Sequence, residues 1–109
     1  MPYTYNITFA ASPEIEGKML DYLRKILIPA VNASDYGTVN PQLKKVVEIG
    51  GEKPGTEEGV SIAFAAEFSN EEQAHLWHDF TLMPELDNFP SYFGDSALYF
   101  ITLLESISL

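Results

Sequence analysis

Residues 96–106 read Ser-Ala-Leu-Tyr-Phe-Ile-Thr-Leu-Leu-Glu-Ser, and the fold turns on this stretch. Aromatic and branched residues fill it without a Pro or Gly, which predicts a strand from Ser96 to Ser106. Successive side chains of a strand point to opposite faces. Leu98, Phe100 and Leu104 therefore share one face, and Tyr99, Ile101 and Leu103 share the other. Both rows are apolar, so the sheet holding this strand needs a cover on each side.

Working back along the chain, Val60 to Phe68 predicts another strand. Val60, Ile62, Phe64, Ala66 and Phe68 form one row; Ser61, Ala63, Ala65 and Glu67 form the other, which is small and mostly apolar. Residues 3–10 alternate in the same way. Tyr3, Tyr5, Ile7 and Phe9 face one side, and Thr4, Asn6 and Thr8 the other. Leu43 to Ile49 predicts the remaining strand, with Lys44 and Lys45 as charges that guard a sheet edge. Gly50 to Gly55 reads as a long hairpin loop.

Two helices lie between these strands. Ser12-Pro13-Glu14 has the residues of a helix start: a cap, a Pro whose missing N–H costs nothing there, and an acid at the positive end of the dipole. Ile15, Met19, Tyr22, Leu23 and Ile26 recur at helical spacing, and Pro29 ends or kinks the helix near Ile28. Ser69-Asn70-Glu71-Glu72 has the form of a capping box. Leu76, Trp77, Phe80 and Met83 mark the buried face of the helix that follows, and Pro84 stops it ahead of an aromatic loop over residues 84–95.

Strand, helix, strand, strand, helix, strand is the βαββαβ order of a ferredoxin-like α+β domain: a four-stranded antiparallel sheet with both helices on one face. Its 109 residues fit a single domain, 1–109. Two helices cover one face only. The simplest cover for the other is a second copy related by a two-fold axis, making a homodimeric α/β barrel. The alternative is a monomer with an exposed apolar patch.

Composition narrows the partners. There is no cysteine, so disulfides, thiolate nucleophiles and Cys-type metal sites are excluded. The formal net charge is −10, and the basic residues Lys18, Arg24, Lys25, Lys44, Lys45 and Lys53 all precede residue 54. Such a field repels phosphate backbones and anionic membranes, so neither nucleic acid nor membrane is an expected partner. Met1-Pro2-Tyr3 lacks the basic start of a secretion signal, which leaves a cytoplasmic location as the expectation.

Few residues offer chemistry. His75, His78 and Asp79 have metal-ligand types at helical spacing, yet with Trp77 and Phe80 marking the buried side they point toward solvent, so neither a metal site nor a cofactor is expected. Asn6 and Thr8 face the sheet-to-sheet interior, where they either bond across the two-fold axis or line a ligand pocket. Trp77 fits either the core or the wall of a pocket for a flat apolar ligand, and Tyr99 shares a row of the last strand with Ile101 and Leu103. Among possible acids and bases, Glu67, Glu105 and the tyrosines form no visible dyad, and there is no phosphate loop or nucleophile elbow.

Tyr5-Asn6 with Thr8, Ile28-Pro29, Phe93-Gly94, Phe100 and Thr102-Leu103-Leu104-Glu105 together resemble a bacterial family labelled domain of unknown function 4286, within the dimeric α/β-barrel superfamily. That family often carries a His before Ile-Pro; here the position is Leu27, so any role of that His is absent. The superfamily includes cofactor-free monooxygenases and muconolactone-type isomerases, and the family has no established activity. The expectation is a homodimer binding a small, uncharged, partly aromatic or apolar ligand, with Asn6, Thr8, Trp77 and Tyr99 lining its pocket. The alternative is a cofactor-free monooxygenase or isomerase acting on a phenol or ketone. A third reading is an interaction module using the acidic second half.

Overall fold

The computed structural model describes residues 3–29, 39–47, 51 and 59–108. β1 (Tyr3–Ala11) leads through a 3-10 turn, Pro13–Ile15, into α1 (Glu16–Tyr22), which widens into a π-helical stretch, Leu23–Leu27. β2 (Val39–Lys45) and β3 (Val60–Phe68) follow. α2 (Glu71–Trp77) also passes into a π-helical stretch, His78–Leu82, and then come α3 (Met83–Leu86), α4 (Phe89–Phe93) and β4 (Ala97–Glu105). The sheet order is β2-β3-β1-β4 with every neighbouring pair antiparallel, which is the ferredoxin-like α+β arrangement.

The period-two rows set which face is buried. Tyr5, Ile7, Phe9 and Ala11 of β1 lie under the helices with Ile62, Phe64, Ala66 and Phe68 of β3. Pairing fixes the match: Ile7 sits between Phe64 and Ile101, and Phe9 between Ile62 and Tyr99. Met19, Tyr22, Leu23 and Leu27 close the core from one helix, and Ala74, Trp77, Leu82 and Leu86 from the other. Ser12 ties the end of β1 to the start of β4, because its amide and its hydroxyl both donate to the Ser96 carbonyl, at 3.1 and 3.4 Å.

The helices depart from a regular 3.6-residue spacing, and this corrects the expected buried faces. A π turn bonds i to i+5 and so delays the helical phase. Leu27, five residues after Tyr22, is buried in place of Ile26, and Leu82, five after Trp77, is buried in place of Phe80, which is 65% exposed. The start of α2 shifts by one residue as well. Asn70, not Ser69, is the cap, accepting from the Gln73 amide at 2.8 Å. Pro84 does not stop the helical run, because it sits in the first turn of α3, where no N–H is needed. The aromatic segment after it is largely helical, and Lys18 holds α4 by donating to the Tyr92 carbonyl and lying over the Phe93 ring.

β2 begins earlier than Leu43. Pro41 lies inside it, beside a register shift between Val39 and Gln42, and an edge strand with a bulge tolerates a residue that cannot donate. Of the expected hairpin loop only Gly51 is described, at φ +82°; the rest of that loop and residues 48 and 49 lie outside the described residues.

The helix-free face carries the other rows. Thr4, Asn6, Thr8 and Ala10 run down its middle, paired with Glu67, Ala65, Ala63 and Ser61 on one side and Leu104, Thr102, Phe100 and Leu98 on the other. Leu98, Phe100 and Leu104 are half or more exposed in the single chain.

Two glycines are expected to respond oppositely to a methyl group. At Gly59 a Cβ would stand 2.6 Å from the Ala11 carbonyl oxygen, whereas at Gly17, inside α1, nothing lies within 4 Å. Gly17→Ala should therefore raise stability by about 0.5–1 kcal/mol through helix propensity. Gly59→Ala should lower it, and urea titration of both variants reads the two signs.

Candidate functional site

A cleft of about 320 Å³ opens on the helix-covered side of the sheet, between the end of α2 and the edge strand β4. Tyr5 of β1, Ile101 and Leu103 of β4, and His75, His78 and Asp79 of the second helical layer line it. Each position has a local cause. Tyr5 and Leu103 are paired residues on the inward row. Ile101 and Leu103 remain partly open because, among the described residues, no further strand lies beyond β4. His78 follows the buried Ala74 by four residues, so it shares the inward side of the helix and is not the solvent-facing residue expected from its sequence context.

Tyr5 forms the floor. It is 2% exposed, edge-on to Trp77 with ring centroids 5.0 Å apart, and 5.9 Å from the His78 ring. Its hydroxyl is buried and has no hydrogen-bond partner among the described residues. Burial pushes its pKa well above the ordinary tyrosine value, and the charges of Asp79 and Tyr99 add to the effect. The hydroxyl therefore stays protonated and able to donate. An unpartnered buried hydroxyl costs on the order of 1–3 kcal/mol.

The wall of the cleft holds a hydrogen-bonded pair. His78 Nδ1 lies 2.9 Å from Asp79 Oδ1. A carboxylate can only accept, so Nδ1 carries the hydrogen, and in the neutral ring Nε2 keeps the lone pair. His75 is occupied differently, 3.7 Å from the Glu71 carboxylate. Among the described residues no three acidic or histidine side chains converge as a metal would require. The described helices include none long and apolar enough to cross a membrane.

A second buried phenol lies further along the same layer. Tyr22 packs against Phe89, Tyr92 and Phe93, and its hydroxyl also lacks a partner among the described residues. Burial, then Glu85, Tyr92 and Tyr99, push its pKa up to about 12.

The four residues expected to line one pocket lie on two sides of the sheet. Asn6 and Thr8 are on the helix-free face, where the Asn6 amide donates to the Thr8 hydroxyl at 3.2 Å. Trp77 is fully buried behind Tyr5, against Phe68. Tyr99 is half-buried on the helix side, against Phe9 and Phe89, and its charge reaches both unpartnered phenols. Sequence reading passed over Tyr5 as a core residue. The available signal was a phenol in a buried row of otherwise apolar side chains.

The sequence profile of a family described as "Domain of unknown function (DUF4286)" matches residues 2–107. No curated protein sequence matches. Among solved structures, an ethyl tert-butyl ether d (ethd) family protein from Bacillus halodurans C-125 superposes with a TM-score of 0.68 at 9% identity, covering 96% of this chain and 99% of that one. A dimeric ferredoxin-like protein from an uncultured marine organism gives 0.62 at 11% identity, covering both chains completely. SnoaB, a cofactor-independent oxygenase from Streptomyces nogalater, gives 0.57 at 12% identity, covering 99% of this chain and 95% of that one. At these identities the likeness is one of fold.

The unpartnered phenols have two measurable consequences. Tyr5→Phe removes a buried hydroxyl that has no bond to lose, so the urea midpoint should hold or rise; a loss above about 1 kcal/mol would reveal a hidden partner. Tyr22 ionises near 10 in the unfolded chain and at about 12 in the folded one. Its contribution is thus complete below pH 10 and lost as the pH rises through about 12, so stability followed by urea titration should decline across that window.

Proposed function

The chain belongs to the family described as Domain of unknown function (DUF4286), and from that premise we propose that it is a homodimeric small-molecule-binding protein. The ligand is compact, uncharged and partly aromatic, and bears one oxygen that accepts a hydrogen bond. It lies in the cleft between α2 and β4.

The observation that carries this reading is the buried, unpartnered Tyr5 hydroxyl beneath a cleft with an apolar wall. Native proteins rarely leave such a group unsatisfied; it is closed to solvent in the free chain, and a bound acceptor supplies the missing bond once the side chains over it shift. Ile101 and Leu103 favour an apolar body, while Asp79 and the net charge of −10 disfavour an anion. The volume lies at the lower end of the roughly 300–1,000 Å³ usual for small-molecule sites. Trp77 acts from behind as the support that holds Tyr5 in place, and Tyr99 as its electrostatic neighbour.

The homodimer rests on the helix-free face. Leu98, Phe100 and Leu104 stand exposed there beside small or uncharged residues, and the second copy covers them. Asn6 and Thr8, at the centre of this face, then meet the other copy and bond at the junction instead of lining the cleft. A solved neighbour described as a dimeric ferredoxin-like protein supports the arrangement. A second reading, an enzyme acting on a ketone or phenol without a cofactor, is favoured by the hydrogen bond between His78 and Asp79.

Thermal-shift titration with 2-tetralone, a two-ring uncharged ketone, should raise the melting temperature. At a hundredfold excess over Kd the stabilisation is about 2.7 kcal/mol. Leu103→Arg should abolish the shift. No stabilisation by 2-tetralone or by a panel of aromatic ketones and phenols removes the ligand reading. Sedimentation at micromolar concentration should return a dimer, with Phe100→Lys shifting it to monomer; a monomeric wild type removes the dimer.

A further inference from the structure

We propose that the cleft moves protons as well as binding: His78, oriented by Asp79, takes a proton from the carbon beside a ligand carbonyl and returns it, so that the protein catalyses enolisation of an uncharged ketone. This rests on the reading of the cleft as a ligand site.

Three independent features meet in the cleft. The first is the state of His78. Its Nδ1 is committed to Asp79 at 2.9 Å, so in the neutral ring the hydrogen sits on Nδ1 and Nε2 is the base. Imidazole is the side chain best suited to accept and release a proton near neutral pH. The second is Tyr5, whose ring lies beside the His78 ring and whose hydroxyl, buried and lacking any partner among the described residues, becomes a donor to the ligand once the side chains over it shift. The third is the backbone. His78 is the first residue of the π-helical stretch His78–Leu82, and such turns recur at functional sites. The π turn leaves Phe80 outside while His78 remains beside Tyr5.

The step balances without any other reactant. The C–H bond next to the carbonyl breaks, and its proton passes to His78 Nε2. The electron pair moves into the new C=C bond and onto the carbonyl oxygen, which accepts a hydrogen bond from the Tyr5 hydroxyl. Return of the proton from Nε2 restores the ketone. Nothing is oxidised or reduced. Catalysis then consists of supplying a base on one side of the ligand and a donor on the other, within a cleft whose remaining wall is apolar. Asp79, 63% exposed, is a positioning residue, acting through His78 and not on the ligand.

Exchange of the α-hydrogens of 2-tetralone in D2O, followed by proton NMR with the whole chain, tests this directly. Wild-type protein should exchange them faster than buffer alone. His78→Gln should reduce the protein-dependent rate by about 100-fold or more. Asp79→Asn should give an intermediate loss with the pH profile of exchange shifted from that of the wild type, a change that a merely structural role for Asp79 would not produce. Both positions are partly or largely exposed, so folding should persist, and circular dichroism verifies it. Exchange no faster than buffer while 2-tetralone is bound overturns the inference and leaves the ligand site standing. Exchange that survives in both variants also overturns it. Failure of 2-tetralone and the ketone panel to bind overturns both readings.

Discussion

Beneath the helices, the inward row of β1 holds the rest of the molecule in register. Tyr5, Ile7, Phe9 and Ala11 belong to a central strand, bonded to β3 on one side and β4 on the other. A slip of one residue would send Thr4, Asn6 and Thr8 into the core and expose three large side chains. Each large apolar side chain contributes roughly 1.5–3 kcal/mol by burial, so the register is strongly specified. Both neighbouring strands inherit their orientation from it, and the helices follow, because only one face then offers them an apolar bed.

The same constraint creates the tension at Tyr5. Its position on the inward row buries the phenol whether or not a partner for the hydroxyl exists. Trp77 packs on one edge of the ring, and the His78 ring lies beside it. What would be an ordinary core aromatic becomes the floor of a cleft because β4 is an edge strand and α2 leaves Ile101 and Leu103 only partly covered. Register decides the burial of this side chain, and a polar atom left unsatisfied in the core is the result.

The two faces of the sheet divide the work. The helix-covered face contains the cleft and, among the described residues, every buried aromatic ring. The helix-free face contains small and polar residues in its middle and large apolar ones along β4. Asn6 and Thr8 satisfy one another there and lie across the sheet from Trp77 and Tyr99. A pocket drawing on all four would have to pass through the sheet, so the expected lining separates into a pair on the helix-free face and a helix-side pair.

Alternation along β1, β3 and β4 was enough to give the strands, their two rows and the two-faced character of the last strand. Period two survives in the sequence because each side chain's face depends only on its own position in the strand. Family membership was legible too, from short motifs spread over the chain. The phase of the helices was not. Trp77, Phe80 and Met83 fit a 3.6-residue wheel, and nothing local announces that a π turn will carry Leu82 inward and leave Phe80 outside. His78 therefore looked solvated, and Tyr5 looked like filler. Their meeting beside Ile101 and Leu103 depends on how α2 packs across the sheet edge. That packing is a property of residues far apart in the chain, so the tertiary structure alone decided it.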